Sequence, residues 1–176
     1  FSLAPASEDA SFRRYFRARL ADGRHFIVMD APPEREPCAP FVRVASLLRE
    51  AGVHAPEVIA QDLAQGFLLL TDLGTQTYLD VLVPSDVAGA RALFADATEA
   101  LVRWQCASQP GALPPYDAAL LHREMTLFPE WYVARHLGIA LSPDQAASLE
   151  RVFALLIASA AAQPTVFVHR DYMPRN

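Results

Sequence analysis

Val166-Phe167-Val168-His169-Arg170-Asp171-Tyr172-Met173-Pro174-Arg175-Asn176 is the stretch whose reading decides the fold. Its three apolar residues, lying behind Pro164, predict a short strand, and His169-Arg170-Asp171 predicts that the strand ends in a polar loop. Asn176 stands five positions after Asp171. Four intervening residues let the chain turn back, so a carboxylate and an amide oxygen can flank one centre. A carboxylate so placed can orient or remove the proton of a hydroxyl, and an amide oxygen can ligate a divalent cation. The plain alternative is a solvated strand end on which Asp171 pairs with Arg170.

Around this stretch the composition narrows the field. The 176 residues are enough for one domain or one and a half small ones, and 52% of them are apolar, which supports a sizeable core. A net charge of −5 and a pI near 5.5 argue against a nucleic-acid binder. All fifteen basic residues are arginine, so any step usually done by a lysine ammonium must be done otherwise. Cys38 and Cys106 form no C-x-x-C and read as reduced thiols of a cytoplasmic protein. No apolar run approaches membrane-span length. No signal peptide is visible, although a start at Phe1 leaves a trimmed start open. Asn176 closes the loop with nothing after it, which reads as a fragment or the ordered part of a longer protein.

Residues 12–30 predict a hairpin. Phe12, Phe16, Ala18 and Leu20 alternate with Tyr15, Arg17 and Arg19, Asp22-Gly23 marks a tight turn, and His25–Asp30 returns. Residues 6–11 are small and polar and predict a loop. Phe41, Val44, Ala45 and Leu48 predict a helix capped at Gly52. Residues 57–61 and 67–70 predict two strands, followed by a turn at Thr71–Gly74. One helix on an antiparallel sheet is an α+β lobe. Beyond it, Ser85 predicts the cap of a helix carrying Val87, Ala90, Phe94, Ala97, Leu101 and Trp104. Asp117–Leu127 repeats the pattern, and Pro129 ends that helix or opens a short one that Gly138 terminates. Ser142-Pro143-Asp144-Gln145 is a capping box for a helix burying Leu149, Val152, Phe153, Leu156 and Ile157.

A strand-rich lobe, a linker, helices and H-R-D-x-x-x-x-N together resemble the kinase-like fold, and in particular the aminoglycoside phosphotransferase and choline kinase superfamily. Asp9–Arg17, Val28–Pro33, Gly66–Gly74 and Leu127–Tyr132 resemble the anomeric N-acetylmuramate/N-acetylglucosamine kinases of bacterial cell-wall recycling. The resemblance implies a two-lobed α+β protein, with a nucleotide-binding lobe over 1–74 and a partial second lobe over 75–176. It implies ATP and Mg²⁺ as cofactors and a small amino sugar as acceptor, with no nucleic-acid or membrane partner. Asp171 then matches the catalytic base and Asn176 a metal ligand. Leu70, Thr71, Asp72 and Leu73 match the hinge that reads adenine, and residues 6–14, with Ser7, Ser11, Arg13 and Arg14, match the loop over the phosphates.

Three positions depart from the pattern. Residues 6–14 hold no glycine, Met29 stands where relatives carry the strand lysine, and Met173 replaces a frequent second histidine. The aspartate expected to make a second metal contact lies beyond Asn176, so this stretch alone is expected to be inactive. Plainer readings compete at several sites. Arg13, Arg14 and Arg17 grip phosphate or line a solvated strand edge, and Trp131 and Tyr132 stack on a sugar or, as their spacing favours, sit in the core. Glu124 and Glu130 read as solvated charge, His54, His122 and His136 make no ligand set, and His169 reads as an anchor beneath the loop. Asp72 is a ribose contact or a turn former. The function read first is an ATP-dependent amino-sugar kinase. The alternatives are an inactive kinase-like binding module, an aminoglycoside- or choline-type phosphotransferase, and, less well supported, a protein kinase.

Overall fold

A computed structural model describes residues 1–8 and 11–175. They fall into two compact units, Phe1–Ala107 together with the segment from Arg170, and Ser108–His169.

The first unit is built on a five-stranded antiparallel sheet. Its strands are β1 (Ser2–Glu8), β2 (Arg14–Arg19), β3 (His25–Asp30), β4 (Val58–Asp62) and β5 (Phe67–Thr71), in the order β1-β2-β3-β5-β4. Strands β2 and β3 form the expected hairpin, with Gly23 at φ +86 in its turn. Helix α1 (Ala39–Glu50) follows the expected span. It ends where Gly52, at φ +73, donates to Arg49 O and Val53 donates to Leu48 O. This paired closure satisfies two terminal carbonyls that would otherwise lack partners.

The core of this unit is a face of the sheet, with Met29 and Leu68 opposite each other on β3 and β5 and fully buried. Cys38, Ala31 and Leu70 complete it, and Tyr15, Ile27, Phe41, Val42 and Val58 pack around it. Burial of side chains of this size contributes about 1.5–3 kcal/mol each. The packing corrects the expected facing of β2. Tyr15 lies against the core, Ala18 is buried on the opposite face, and Phe12 is exposed. A strand half-buried on both sides defeats simple alternation.

Strand β1 was not foreseen, because residues 6–8 read as loop. Pro5 has no N–H to give a ladder, which suits an edge strand, and the register shifts between Pro5 and Ser7. Helix α2 (Tyr78–Val81) was also unforeseen, although Thr77 and Asp80 form its capping box. Helix α3 (Val87–Cys106) starts one residue later than expected, and its cap is Asp86, not Ser85, accepting from the Gly89 N–H at 2.9 Å.

The second unit contains α4 (Ala118–Leu127), a π-helical segment (Phe128–His136) and α5 (Pro143–Ala161). Pro129 cannot give an i→i−4 bond, and the wider turn absorbs it. Leu137 accordingly donates five residues back, to Tyr132 O at 3.0 Å. The Ser142–Gln145 capping box opens α5 as read. Two expectations fail here. Val152 and Leu156 are exposed, and only Phe153 on α5 is buried. Trp131 and Tyr132 are also exposed rather than core: Tyr132 stacks between Phe128 and His136, and the Arg135 guanidinium lies 3.9 Å from the Trp131 ring.

Val166–Val168 is not a strand. Among the described residues every strand pairs within residues 2–71, so this run has no ladder to join. Phe167 is buried, and its N–H donates to Ser108 Oγ at 2.7 Å.

Gly66 closes the β4–β5 turn at φ +80, and its carbonyl accepts from Ala31 N at 2.9 Å. A Cβ there would sit 1.9 Å from Ala31 O, whereas one on Gly52 would meet nothing within 4 Å. Gly52→Ala should therefore cost about 1–2 kcal/mol for the left-handed backbone. Gly66→Ala should cost a further ~1–3 kcal/mol, read as the larger drop in urea midpoint.

Candidate active site

The segment after His169 is a strained turn fixed at Tyr172 and Pro174. Among the described residues Arg170 is the one non-glycine in the left-handed region, at φ +71. A conformation of that kind costs of the order of 1–3 kcal/mol and persists only where neighbours over-determine it. Two ties do so. The Tyr172 hydroxyl donates to Ala97 O on α3 at 2.6 Å, and Pro174 O accepts from the Leu79 N–H on α2 at 2.9 Å. Helix α2 is held in turn by Tyr78, whose hydroxyl donates to Asp96 Oδ2 at 2.8 Å. Both phenols are shifted up, Tyr78 first by its bond to Asp96 and Tyr172 first by burial. Asp171 therefore follows the strained residue, precedes the anchored one and is exposed.

Tyr78, Leu79, Asp96 and Ala97 were missed as site supports. The signal available was Thr77-x-x-Asp80, a start-of-helix pattern that places Tyr78 and Leu79 in the first turn. His169 is exposed, and Phe167 is the buried side chain of this stretch.

The segment expected to be the hinge leaves the sheet at the end of β5. Leu70 is buried, and Thr71 is fastened to Glu57 through its N–H to Glu57 O and its Oγ1 from Glu57 N, both 3.0 Å. Asp72 then meets Arg17 of β2. Arg17 Nε donates to Oδ2 at 2.5 Å, and Nη2 donates to Oδ1 at 3.0 Å and to Gly74 O at 2.8 Å. The Gly74 N–H returns to Asp72 Oδ1 at 2.9 Å, with φ +99 at the glycine. Both Asp72 oxygens are thus engaged, which favours the fastening reading of this residue over a ribose contact. Leu73 between them is half-exposed, and among the described residues its backbone makes no hydrogen bond.

The remaining expected site residues lie on or near the sheet. Ser7 is in β1 opposite Tyr15. Ser11 Oγ accepts from the Arg13 N–H at 3.2 Å. Arg13 pairs with Glu36 at 2.9 Å, and Arg14 pairs with Asp30. As placed, Arg13, Arg14 and Arg17 each direct the guanidinium at a carboxylate. Met29 is fully buried, so its side chain packs the core. Asn176, with Asp9 and Ala10, lies outside the described residues. Glu124 is not simply solvated, since it accepts from the Tyr116 hydroxyl at 2.5 Å. Cys38 and Cys106 are both free thiols, and burial pushes the Cys38 thiol up. An open groove of about 1010 Å³ beside α3, lined by residues such as Leu79, Val87 and Phe94, includes none of the expected site residues. Among the described residues no helix is long and apolar enough to cross a membrane.

The Arg17 guanidinium holds the Asp72 carboxyl below the usual range, with the Gly74 N–H adding to the effect. A depressed folded pKa contributes stability that is complete above the unfolded value, about 4, and is lost as pH falls through the folded value. Asp72→Asn should therefore lower the urea midpoint most at neutral pH, with the difference from the parent narrowing steadily below about pH 4.

Comparison with known proteins gives the family. Residues 2–176 match the Phosphotransferase enzyme family. The chain is 58% identical, over 99% of its length, to an N-acetylmuramate/N-acetylglucosamine kinase of Pseudomonas aeruginosa, covering 50% of that protein. It is 57% identical to the protein of the same name in Pseudomonas putida, over 99% of this chain and 50% of the relative. The protein of that name from Neisseria meningitidis is 41% identical, over 100% of this chain and 52% of the relative. The chain thus spans about half the length of the curated relatives it matches. A solved structure assigned as a fructosamine-3-kinase from Thermobifida fusca superposes with a TM-score of 0.54 at 20% identity, covering 97% of this chain and 62% of that one. That likeness is one of fold, the kinase-like α+β fold. With 2–176 inside one family profile, the chain belongs to the Phosphotransferase enzyme family.

Proposed function

We propose that this chain is part of an ATP-dependent kinase that phosphorylates a hydroxyl of an amino sugar, the anomeric hydroxyl of N-acetylmuramate or N-acetylglucosamine, within cytoplasmic peptidoglycan recycling. The observation that carries the chemistry is Asp171, an exposed carboxylate that follows the left-handed Arg170 and is fixed immediately after it by the ties of Tyr172 and Pro174. The 58% identity to a kinase of that name supports the acceptor. On this reading residues 1–74 bind the nucleotide and 75–176 begin the acceptor lobe. Leu70–Leu73 are assigned to the base, and Ser7, Ser11, Arg13 and Arg14 to the phosphates, the two arginines by exchanging Glu36 and Asp30 for phosphate oxygens.

In the proposed reaction Asp171 accepts a hydrogen bond from the sugar hydroxyl and takes its proton as that oxygen bonds to the γ-phosphorus. The bond from the γ-phosphorus to the bridging oxygen breaks, and ADP leaves. Base assistance of this kind is worth about 10²–10⁴-fold, and positioning supplies much of the remainder. Among the described residues no three His, Cys, Asp or Glu side chains gather as a metal cage. Mg²⁺ keeps water ligands and needs only one or two protein oxygens beside the phosphates. When bound, Mg²⁺ neutralises charge on the transferring phosphoryl group. Asn176, with Asp171 nearby in sequence, is the residue proposed to hold it.

A second reading, an inactive kinase-like binding module, is favoured by one observation. The strand position usually holding a lysine is a fully buried methionine, and the nearby arginines are paired with carboxylates. The test is Mg²⁺-dependent ATP turnover by the full gene product with N-acetylmuramate, N-acetylglucosamine, choline and an aminoglycoside. Turnover with an amino sugar, lowered at least about 100-fold by Asp171→Asn, is the expected result. Silence on all four acceptors, with no nucleotide-induced thermal shift, would establish the inactive module instead.

A further inference from the structure

Leu73 is enclosed by a ring of hydrogen bonds that does not touch it. Asp72 on one side is caught by the Arg17 fork, and Gly74 on the other has its N–H held by Asp72 and its carbonyl held by Arg17. Three of these bonds run from Arg17 on β2, 55 to 57 residues away in sequence, to the Asp72 carboxylate and the Gly74 carbonyl, and the fourth closes the Gly74 N–H onto Asp72. The two charged side chains are 14% and 9% exposed, so solvent screens the pair weakly. Within this ring a half-exposed residue keeps its own N–H donor and C=O acceptor unused. An unused donor and acceptor on one residue suit a flat heteroaromatic ring with matching groups.

We propose that Arg17 and Asp72 are positioning residues that preorganise the Leu73 backbone to receive the adenine edge, so that they set nucleotide affinity and not the rate of transfer. This rests on the kinase reading above and adds the means by which base recognition is prepared. The clamp is aimed at the segment beyond β5, because Arg17 directs Nε and Nη2 at Asp72 and Gly74. Holding a recognition group in its bound geometry lowers the ordering cost of binding, and a bidentate fork does so where a point charge cannot. Lysine at position 17 would keep the charge and lose two of the three donor directions.

The experiment compares the full gene product with Arg17→Lys and Arg17→Gln, using adenosine binding by calorimetry, ATP kinetics and amide hydrogen exchange. Adenosine is the probe because it carries no phosphate. Both variants should weaken adenosine binding and raise the KM for ATP by a similar factor, about tenfold, with kcat changed less than about twofold. The Gly74 amide should exchange faster while the amides of Met29 and Leu68 stay protected. Unchanged adenosine affinity, with Gly74 exchange increased, would show that the clamp only orders the turn and would overturn the inference while leaving the kinase reading intact. Loss of protection at Met29 and Leu68 would make the pair a sheet stabiliser and would equally overturn it. Failure of the unaltered protein to bind either adenosine or ATP would overturn the kinase reading, and this inference with it.

Discussion

The account depends on a conformational constraint: a bulky residue held in the left-handed region directly before a carboxylate. Arg170 would relax if its neighbours allowed it, since the Cβ of an L-residue crowds the following carbonyl. The hydroxyl of Tyr172 on Ala97 O and the Leu79 N–H on Pro174 O remove that freedom. Helices α2 and α3 thus act as a bracket for the turn. The bracket is itself braced by the Thr77–Asp80 capping box and the Tyr78–Asp96 bond. A general base needs fixed aim, and a turn tied directly after the carboxylate provides it.

The sheet supplies a second fixed element by different means. Met29 and Leu68 lock β3 to β5 by packing, whereas Arg17 and Asp72 lock β2 to the segment beyond β5 by charge. Dry packing has no direction, so it cannot by itself orient a peptide at a strand end. A forked guanidinium can, and a partly buried ion pair serves better as a register device than as a source of net stability. The lysine-free composition fits this pattern, because arginine takes the sites where two oxygens must be addressed at once.

Much of the fold was legible where the cause is local. The Asp22-Gly23 turn, the Gly52 helix end and the Ser142–Gln145 box depend on residues within one turn of each other, and each stands where its residues predict. What escaped depends on partners far along the chain. Strand β1 exists because β2 offers it an edge, and nothing in a proline-containing polar stretch announces that. Val166–Val168 has the composition of a strand but no ladder to join, and burial of Phe167 accounts for its apolar character. The facing of Tyr15, Trp131 and Val152 could not be settled by period alone, because period says which residues share a face and not what covers it. In the candidate site Asp171 was visible as a motif. Its supports on α2 and α3 and the Arg17–Asp72 clamp were not, since they join residues 55 to 95 positions apart.

Since the central claim is that the turn around Asp171 is held in its productive shape by side-chain ties, the most direct measurement is kcat of the full gene product carrying Tyr172→Phe. That change removes one hydroxyl and keeps the ring. A lost hydrogen bond of about 0.5–1.5 kcal/mol predicts a roughly three- to tenfold fall in kcat, with the KM for ATP unmoved. A variant turning over at the parent rate would contradict the account.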